Sequence, residues 1–225
     1  MTGVQTCALP ILKAFGGPER DGRPAEAILH EALEAAAGAD VIVAAVGESS
    51  GMSGECSSRS DLTLPDAQRD LLAALEKTGK PIVLVYFSGR STVMTWENEH
   101  IPAILNVWFG GSEAGDAICD VLFGDRVPGG RLVTSMPKST GQLPLYYNHL
   151  NTGRPERQWF SKFRSNFLDV DNDPLFPFGY GLSYTTFSYG EVRLDRHTLH
   201  EGGKITAAVD VTNTETANAD RKSVV

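Results

Sequence analysis

The sequence predicts an α/β fold, with a mostly parallel sheet and crossover helices, followed by the opening strands of an all-β segment. Three observations carry this. Two short runs rich in β-branched residues, Val41-Ile-Val-Ala-Ala-Val46 and Pro81-Ile-Val-Leu-Val-Tyr-Phe87, alternate with amphipathic helical stripes. Both runs are apolar at consecutive positions, as strands covered on both faces are. After Gly181 the pattern changes to alternation with a period of two.

The first helix follows Pro24, with Ala25, Ile28, Leu29, Ala32, Leu33 and Ala36 at helical spacing and Gly38 as its stop. The first strand comes next, then a polar loop from Gly47 to about Asp61. Pro65 and Asp66 suit the first turn of a second helix, whose stripe is Ala67, Leu71, Leu72 and Leu75 and whose end is Gly79. The second strand follows directly. Ile104-Leu-Asn-Val-Trp108 reads as a third strand and Phe109-Gly-Gly as a turn. A helix then carries Ala114, Ala117, Ile118, Val121 and Leu122 on one face and stops at Gly124. Gly130-Arg-Leu-Val-Thr-Ser-Met136 is expected as a further strand, and Pro137 to Pro177 as a long irregular excursion of the kind that is often functional. In the tail, Thr185-Thr-Phe-Ser-Tyr189 and Lys204-Ile-Thr-Ala-Ala-Val-Asp-Val-Thr212 alternate around a turn at His200-Glu-Gly-Gly. Two or three strands cannot form a stable sandwich alone, so this tail is expected to be incomplete rather than compact.

A length of 225 residues suits one domain and part of a second. The net charge of −8 argues against a nucleic-acid partner, which needs a basic surface. No apolar run approaches the roughly 20 residues of a membrane span. Cys7, Cys56 and Cys119 are too few and too scattered for a disulfide framework or a structural zinc site. Of the five histidines, His197 and His200 alone have ligand-like spacing, and a turn between tail strands reads more simply as surface.

Three segments offer chemistry. Ligands of open α/β sheets bind outside the carboxyl ends of the strands. The loop Gly47-Glu-Ser-Ser-Gly-Met-Ser-Gly-Glu-Cys-Ser-Ser-Arg-Ser-Asp61 lies at such an end and holds Glu48, Glu55, Asp61 and Arg59. Carboxylates there suit acid–base work if a partner group faces them. The same composition also describes a solvated loop of turn-forming Ser and Gly. Phe109-Gly-Gly-Ser-Glu-Ala-Gly115 has the placement of a phosphate loop, but Glu113 puts negative charge where phosphate would sit, and tight strand-to-helix packing explains the glycines better. Asp169-Val-Asp-Asn-Asp173 opens like a calcium loop, yet Pro174 and Tyr180 stand where Gly and Glu are required. Asx turns ahead of Pro174 account for it.

A set of motifs in order along the chain is more specific. Val46-Gly-Glu-Ser-Ser-Gly-Met-Ser-Gly-Glu-Cys-Ser-Ser-Arg-Ser-Asp-Leu-Thr-Leu-Pro65 with Gln68-Arg-Asp-Leu71 resembles the acid/base loop of bacterial family 3 β-glucosidases. Gly79-Lys-Pro-Ile-Val-Leu-Val85, Trp108-Phe-Gly-Gly-Ser-Glu-Ala-Gly115, Asp120-Val-Leu-Phe-Gly-Asp125 and Pro128-Gly-Gly-Arg-Leu132 are similar to that family too. So are Tyr147-Asn-His-Leu-Asn-Thr-Gly-Arg154 and Pro177-Phe-Gly-Tyr-Gly-Leu-Ser-Tyr-Thr-Thr-Phe187.

The resemblance implies a layered α/β/α sandwich domain over residues 24–181 and a truncated fibronectin type III-like domain over 182–220. An N-terminal barrel, absent from this chain, would bring the catalytic Asp nucleophile. Residues 1–11 and 221–225 carry none of these motifs and are expected to be a non-native leader and tail. The resemblance makes Glu55 the catalytic acid/base, with Ser53 and Arg59 as substrate contacts or loop braces and Glu48 as a loop-orienting acceptor. Gly54, where the family often has His or Ser, is expected to loosen the loop. The implied substrate is a terminal β-D-glucosyl unit of an oligosaccharide, or a β-xylosyl unit. No cofactor or metal is implied, and the location is periplasmic or secreted. A nucleotide-binding α/β domain and a non-catalytic sugar-binding or scaffold module are the readings from other classes.

Overall fold

The computed structural model describes residues 24–150, 152–154 and 162–215; the expected leader over 1–11 and tail over 221–225 lie outside them. By its internal contacts the chain forms two compact units, the first ending at Ala114 and resuming over Leu132–Phe178, the second made of Gly115–Arg131 and the chain from Gly179 onward.

The first unit is built on a three-stranded parallel sheet in the order β1 (Ile42–Gly47), β2 (Ile82–Phe87), β3 (Ala103–Asn106). Helix α1 (Ala25–Ala37) precedes β1, α2 (Asp66–Glu76) joins β1 to β2, and α3 (Thr95–His100) joins β2 to β3. Both longer helices start at a proline whose carbonyl takes the first free amides. Pro24 O accepts from Ala27 and Ile28, and Pro65 O from Gln68 and Arg69. Ile42, Ala44 and Val46 of β1 pair in register with Ile82, Leu84 and Tyr86 of β2. This set shares a buried core with Ala32 and Ala36 of α1 and Leu71, Leu72 and Leu75 of α2. The alternate residues Val43, Ala45 and Val83 are half-buried. The apolar runs therefore form strands as expected, with one face more fully covered than the other.

Two elements differ from expectation. Residues 130–136 form no strand; Met136 makes one antiparallel bridge to Phe176, which gives the irregular excursion a fixed point. Helix α3 carries no apolar stripe, because its six residues are too few to show one. Beyond Met136, a one-turn helix at Thr140–Gln142 is closed by a reciprocal cap between Ser139 and Gln142. The buried Gln142 amide also donates to the carbonyls of Asp171 and Asp173. Asp171 itself binds the Lys138 ammonium at 2.6 Å and accepts the Asp173 amide. The calcium-like aspartate run is thus a staple and an Asx turn, the turn expected ahead of Pro174.

In the second unit, α4 (Ala114–Phe123) accepts a hydrogen bond from the Tyr184 hydroxyl at the Val121 carbonyl, 2.8 Å. Among the described residues four short strands follow: β4 (Phe187–Tyr189), β5 (Arg193–Leu194), β6 (Ala207–Ala208) and β7 (Val211–Asn213). β4 pairs with β7 and β5 with β6, both antiparallel. The expected strand over 204–212 is thus divided into β6 and β7, with the Asp210 carbonyl between them accepting the Gly190 amide at 2.9 Å. The expected turn forms at His200–Gly203, and His197 and His200 are exposed. Among the described residues no helix is long and apolar enough to cross a membrane.

Candidate active site

Parallel register brings the carboxyl ends of β1 and β2 to one level. Gly47 lies opposite Phe87, so Glu48 and Ser88 leave the sheet side by side. Gly47 has φ 142°, and a Cβ there would stand 1.9 Å from the Phe87 carbonyl oxygen, so only glycine fits. Its outward backbone groups are taken by one side chain. The Gln68 amide of α2 accepts the Gly47 amide at 2.8 Å and donates to the Gly47 carbonyl at 3.0 Å. That amide does the work of a neighbouring strand, and it fixes where the loop begins.

The Glu48 side chain is 1% exposed and is the hub of the loop. Its carboxylate receives Arg59 Nη1 at 3.1 Å, Arg90 Nε at 3.0 Å and the Ser88 hydroxyl at 3.1 Å. A buried carboxylate is tolerated when cations and donors meet it in this way. Each arginine then reaches the loop backbone. Arg59 Nη2 donates to the Thr63 carbonyl at 3.0 Å. Arg90 Nη2 donates to two carbonyls, Met52 and Ser57, the latter at 2.8 Å. Asp61 closes the far end by accepting the amide and hydroxyl of Thr63, and those two bonds hold its carboxyl below the usual range. Beneath the site, Tyr86 is buried, and desolvation pushes its hydroxyl up to about 12.

Between the two carbonyls held by Arg90 lies a tight turn, residues 53–56. The Ser57 amide donates to the Gly54 carbonyl, and the Ser57 hydroxyl to the Glu55 carbonyl. Gly54 has φ 117° and Cys56 φ 57°, which turn the backbone sharply on both sides of Glu55. Glu55 stands exposed at the apex. Ser53 is half-buried against Gly89, where a Cβ would lie 2.1 Å from its hydroxyl and 2.9 Å from the Phe109 ring. Arg59 is the loop's brace, its guanidinium joined to Glu48 and to Thr63. The structure thus brings Ser53 and Glu55 into one turn and sets Arg59 below it. The glycine turn at Gly110 is packed as the strand-to-helix reading expects, with a Cβ there 2.8 Å from that of Ala114.

Comparison with known proteins identifies the scaffold. The family model described as the glycosyl hydrolase family 3 C-terminal domain matches residues 6–184. The chain belongs to glycosyl hydrolase family 3. Within the family, it is 53% identical over 195 residues to a periplasmic beta-glucosidase of Salmonella typhimurium, covering 86% of this chain and 26% of that protein. It is 42% identical over 190 residues to a beta-xylosidase of Formosa agariphila, covering 84% of this chain and 25% of that one. A crystal structure of beta-glucosidase from Listeria innocua in complex with isofagomine superposes with a TM-score of 0.81 at 36% identity, covering 87% of this chain and 27% of that one. The chain therefore spans about a quarter of the length of these family 3 relatives.

Sequence reading of this family 3 domain located the loop and placed Gln68 in its motif, but it did not foresee the bonds of Gln68 to Gly47, and it missed Ser88 and Arg90. A positional signal was present for both of the missed residues. Ser88 and Arg90 follow β2 as Glu48 follows β1, at the edge where parallel sheets place their sites.

Proposed function

We propose that this chain supplies the general acid/base, Glu55, to a retaining β-glycosidase that releases terminal β-D-glucosyl residues from oligosaccharides. The observation that carries the reading is an exposed carboxylate on an anchored turn at the carboxyl edge of a family 3 sheet. The 53% identity to a protein named periplasmic beta-glucosidase supports the substrate class and a periplasmic location. A retaining mechanism needs two carboxyl groups about 5–5.5 Å apart across the scissile bond. One attacks the anomeric carbon, while the other protonates the leaving oxygen and later deprotonates water. Glu55 fills the second role, and the nucleophile comes from an N-terminal barrel. Ser53, beside the acid, is the proposed sugar contact of the loop; Arg59 serves the sugar through the bonds that brace it.

The test is Glu55→Gln in the full-length enzyme. Acid assistance matters only when the leaving group is poor. The variant is expected to lose about 100-fold or more in kcat/KM on cellobiose, while a dinitrophenyl β-glucoside is spared. Equal losses on both would remove Glu55 from the acid role and favour a sugar-binding or scaffold module. A second reading, β-xylosidase, is favoured by the 42% identity to the Formosa agariphila protein. Comparing kcat/KM on aryl β-glucoside and aryl β-xyloside separates the two.

A further inference from the structure

We propose that Arg90 is a positioning residue for the acid/base turn, an inference that rests on the reading of Glu55 above. Arg90 sits on the loop after β2, outside the segment that carries Glu55, yet it governs both feet of that segment. One nitrogen, Nη2, donates to the carbonyls of Met52 and Ser57, the residues on either side of the four-residue turn 53–56. Because both carbonyls point at the same nitrogen, the separation of the feet is set by one guanidinium. The guanidinium is in turn held in place. Its Nε binds the buried Glu48 carboxylate, and the Arg90 backbone amide and carbonyl both bond the Ser88 hydroxyl. Ser88 joins the same carboxylate, so strand ends β1 and β2, Arg90 and the turn form one connected network.

The planar fork suits this task, because it offers donors in several fixed directions at once. A lysine at 90 would keep a charge for Glu48 but not the geometry that reaches two carbonyls beyond it. Glu55 is exposed and takes its position from its backbone, so the feet decide where its carboxyl stands. A displacement of about 1 Å at a reacting group costs on the order of 100-fold in rate.

The experiment compares Arg90→Met and Arg90→Lys with Glu55→Ala in the full-length enzyme. Substrates are a dinitrophenyl β-glucoside and cellobiose, with and without added azide. In Glu55→Ala, azide attacks the anomeric carbon of the glycosyl-enzyme, forming a C–N bond as the enzyme carboxylate leaves. It needs no base, so kcat on the activated substrate is restored and a β-glycosyl azide appears. The Arg90 variants are expected to show the same pattern in weaker form. They should lose about 100-fold in kcat/KM on cellobiose, less than about tenfold on the activated glucoside, and recover with azide. Loss of similar size on both substrates, without azide recovery, overturns the positioning role and leaves Glu55 untouched. If Glu55→Ala itself shows no leaving-group dependence and no azide product, both readings fall. Should Arg90→Met not fold, Arg90→Lys, which keeps the Glu48 ion pair, is judged by the same two criteria.

Discussion

A methyl group on residue 47 would stand 1.9 Å from the Phe87 carbonyl oxygen, well inside van der Waals contact. Gly47→Ala must therefore push β1 from β2 where the loop that carries Glu55 begins, and it must also strain a positive φ. We expect a loss of about 3 kcal/mol, read as a lower urea midpoint. An unchanged midpoint would mean that the strand ends yield easily. Neighbouring Glu48 shows how a residue's role depends on what meets it. In the sequence it was one of three carboxylates in a polar loop, and only Glu55 and Asp61 remain near solvent. Glu48 became the buried centre because Arg59 arrives from 11 residues downstream and Arg90 from 42. The first lies within the loop motif and was legible. The second stands at the carboxyl end of β2, where a site residue could be sought, but its pairing with Glu48 depends on strand register and was not legible.

Among the elements, strands and long helices were legible because their apolar positions repeat over enough residues to define a face. Segment 130–136 misled for a related reason: its composition suits a strand, but Met136 alone finds a partner. Helix α3 was missed because tertiary contacts hold it. Its Thr95 hydroxyl bonds the carbonyl of Lys138, 43 residues away. The buried Glu97 belongs to the same helix. Burial raises its carboxyl above the ordinary 4.5, with Arg69 and His100 offsetting part of the effect. Folding therefore favours the protonated form. From pH 4.5 up to the raised value, the folded state holds more proton than the unfolded one, so stability falls as pH climbs through that window. Glu97→Gln is neutral throughout, and it should flatten this slope and raise the urea midpoint at pH 7. A midpoint lowered at neutral pH would show that the carboxylate is used as an anion.

At the scale of the whole molecule, the chain spans about a quarter of its family 3 relatives. On the proposed mechanism it holds one of two required carboxyl groups, so the purified chain is expected to show no turnover of an aryl β-glucoside. Measurable hydrolysis by these 225 residues would place the whole catalytic pair within them. Local sequence sufficed for whatever depends on neighbours in the chain: apolar periods, proline starts, glycine stops, the Asx turn at Asp171, and the motif that carries Glu55. Tertiary structure alone decided what depends on register and distance. It buried Glu48, whose loop-orienting role the resemblance had implied, between two arginines, lent the Gln68 amide to Gly47, denied a strand to 130–136 and bonded Arg90 to both ends of the turn. The physical reason is that a period or a turn is written within a few residues, whereas a buried charge is stable only where folding brings its partners from elsewhere in the chain.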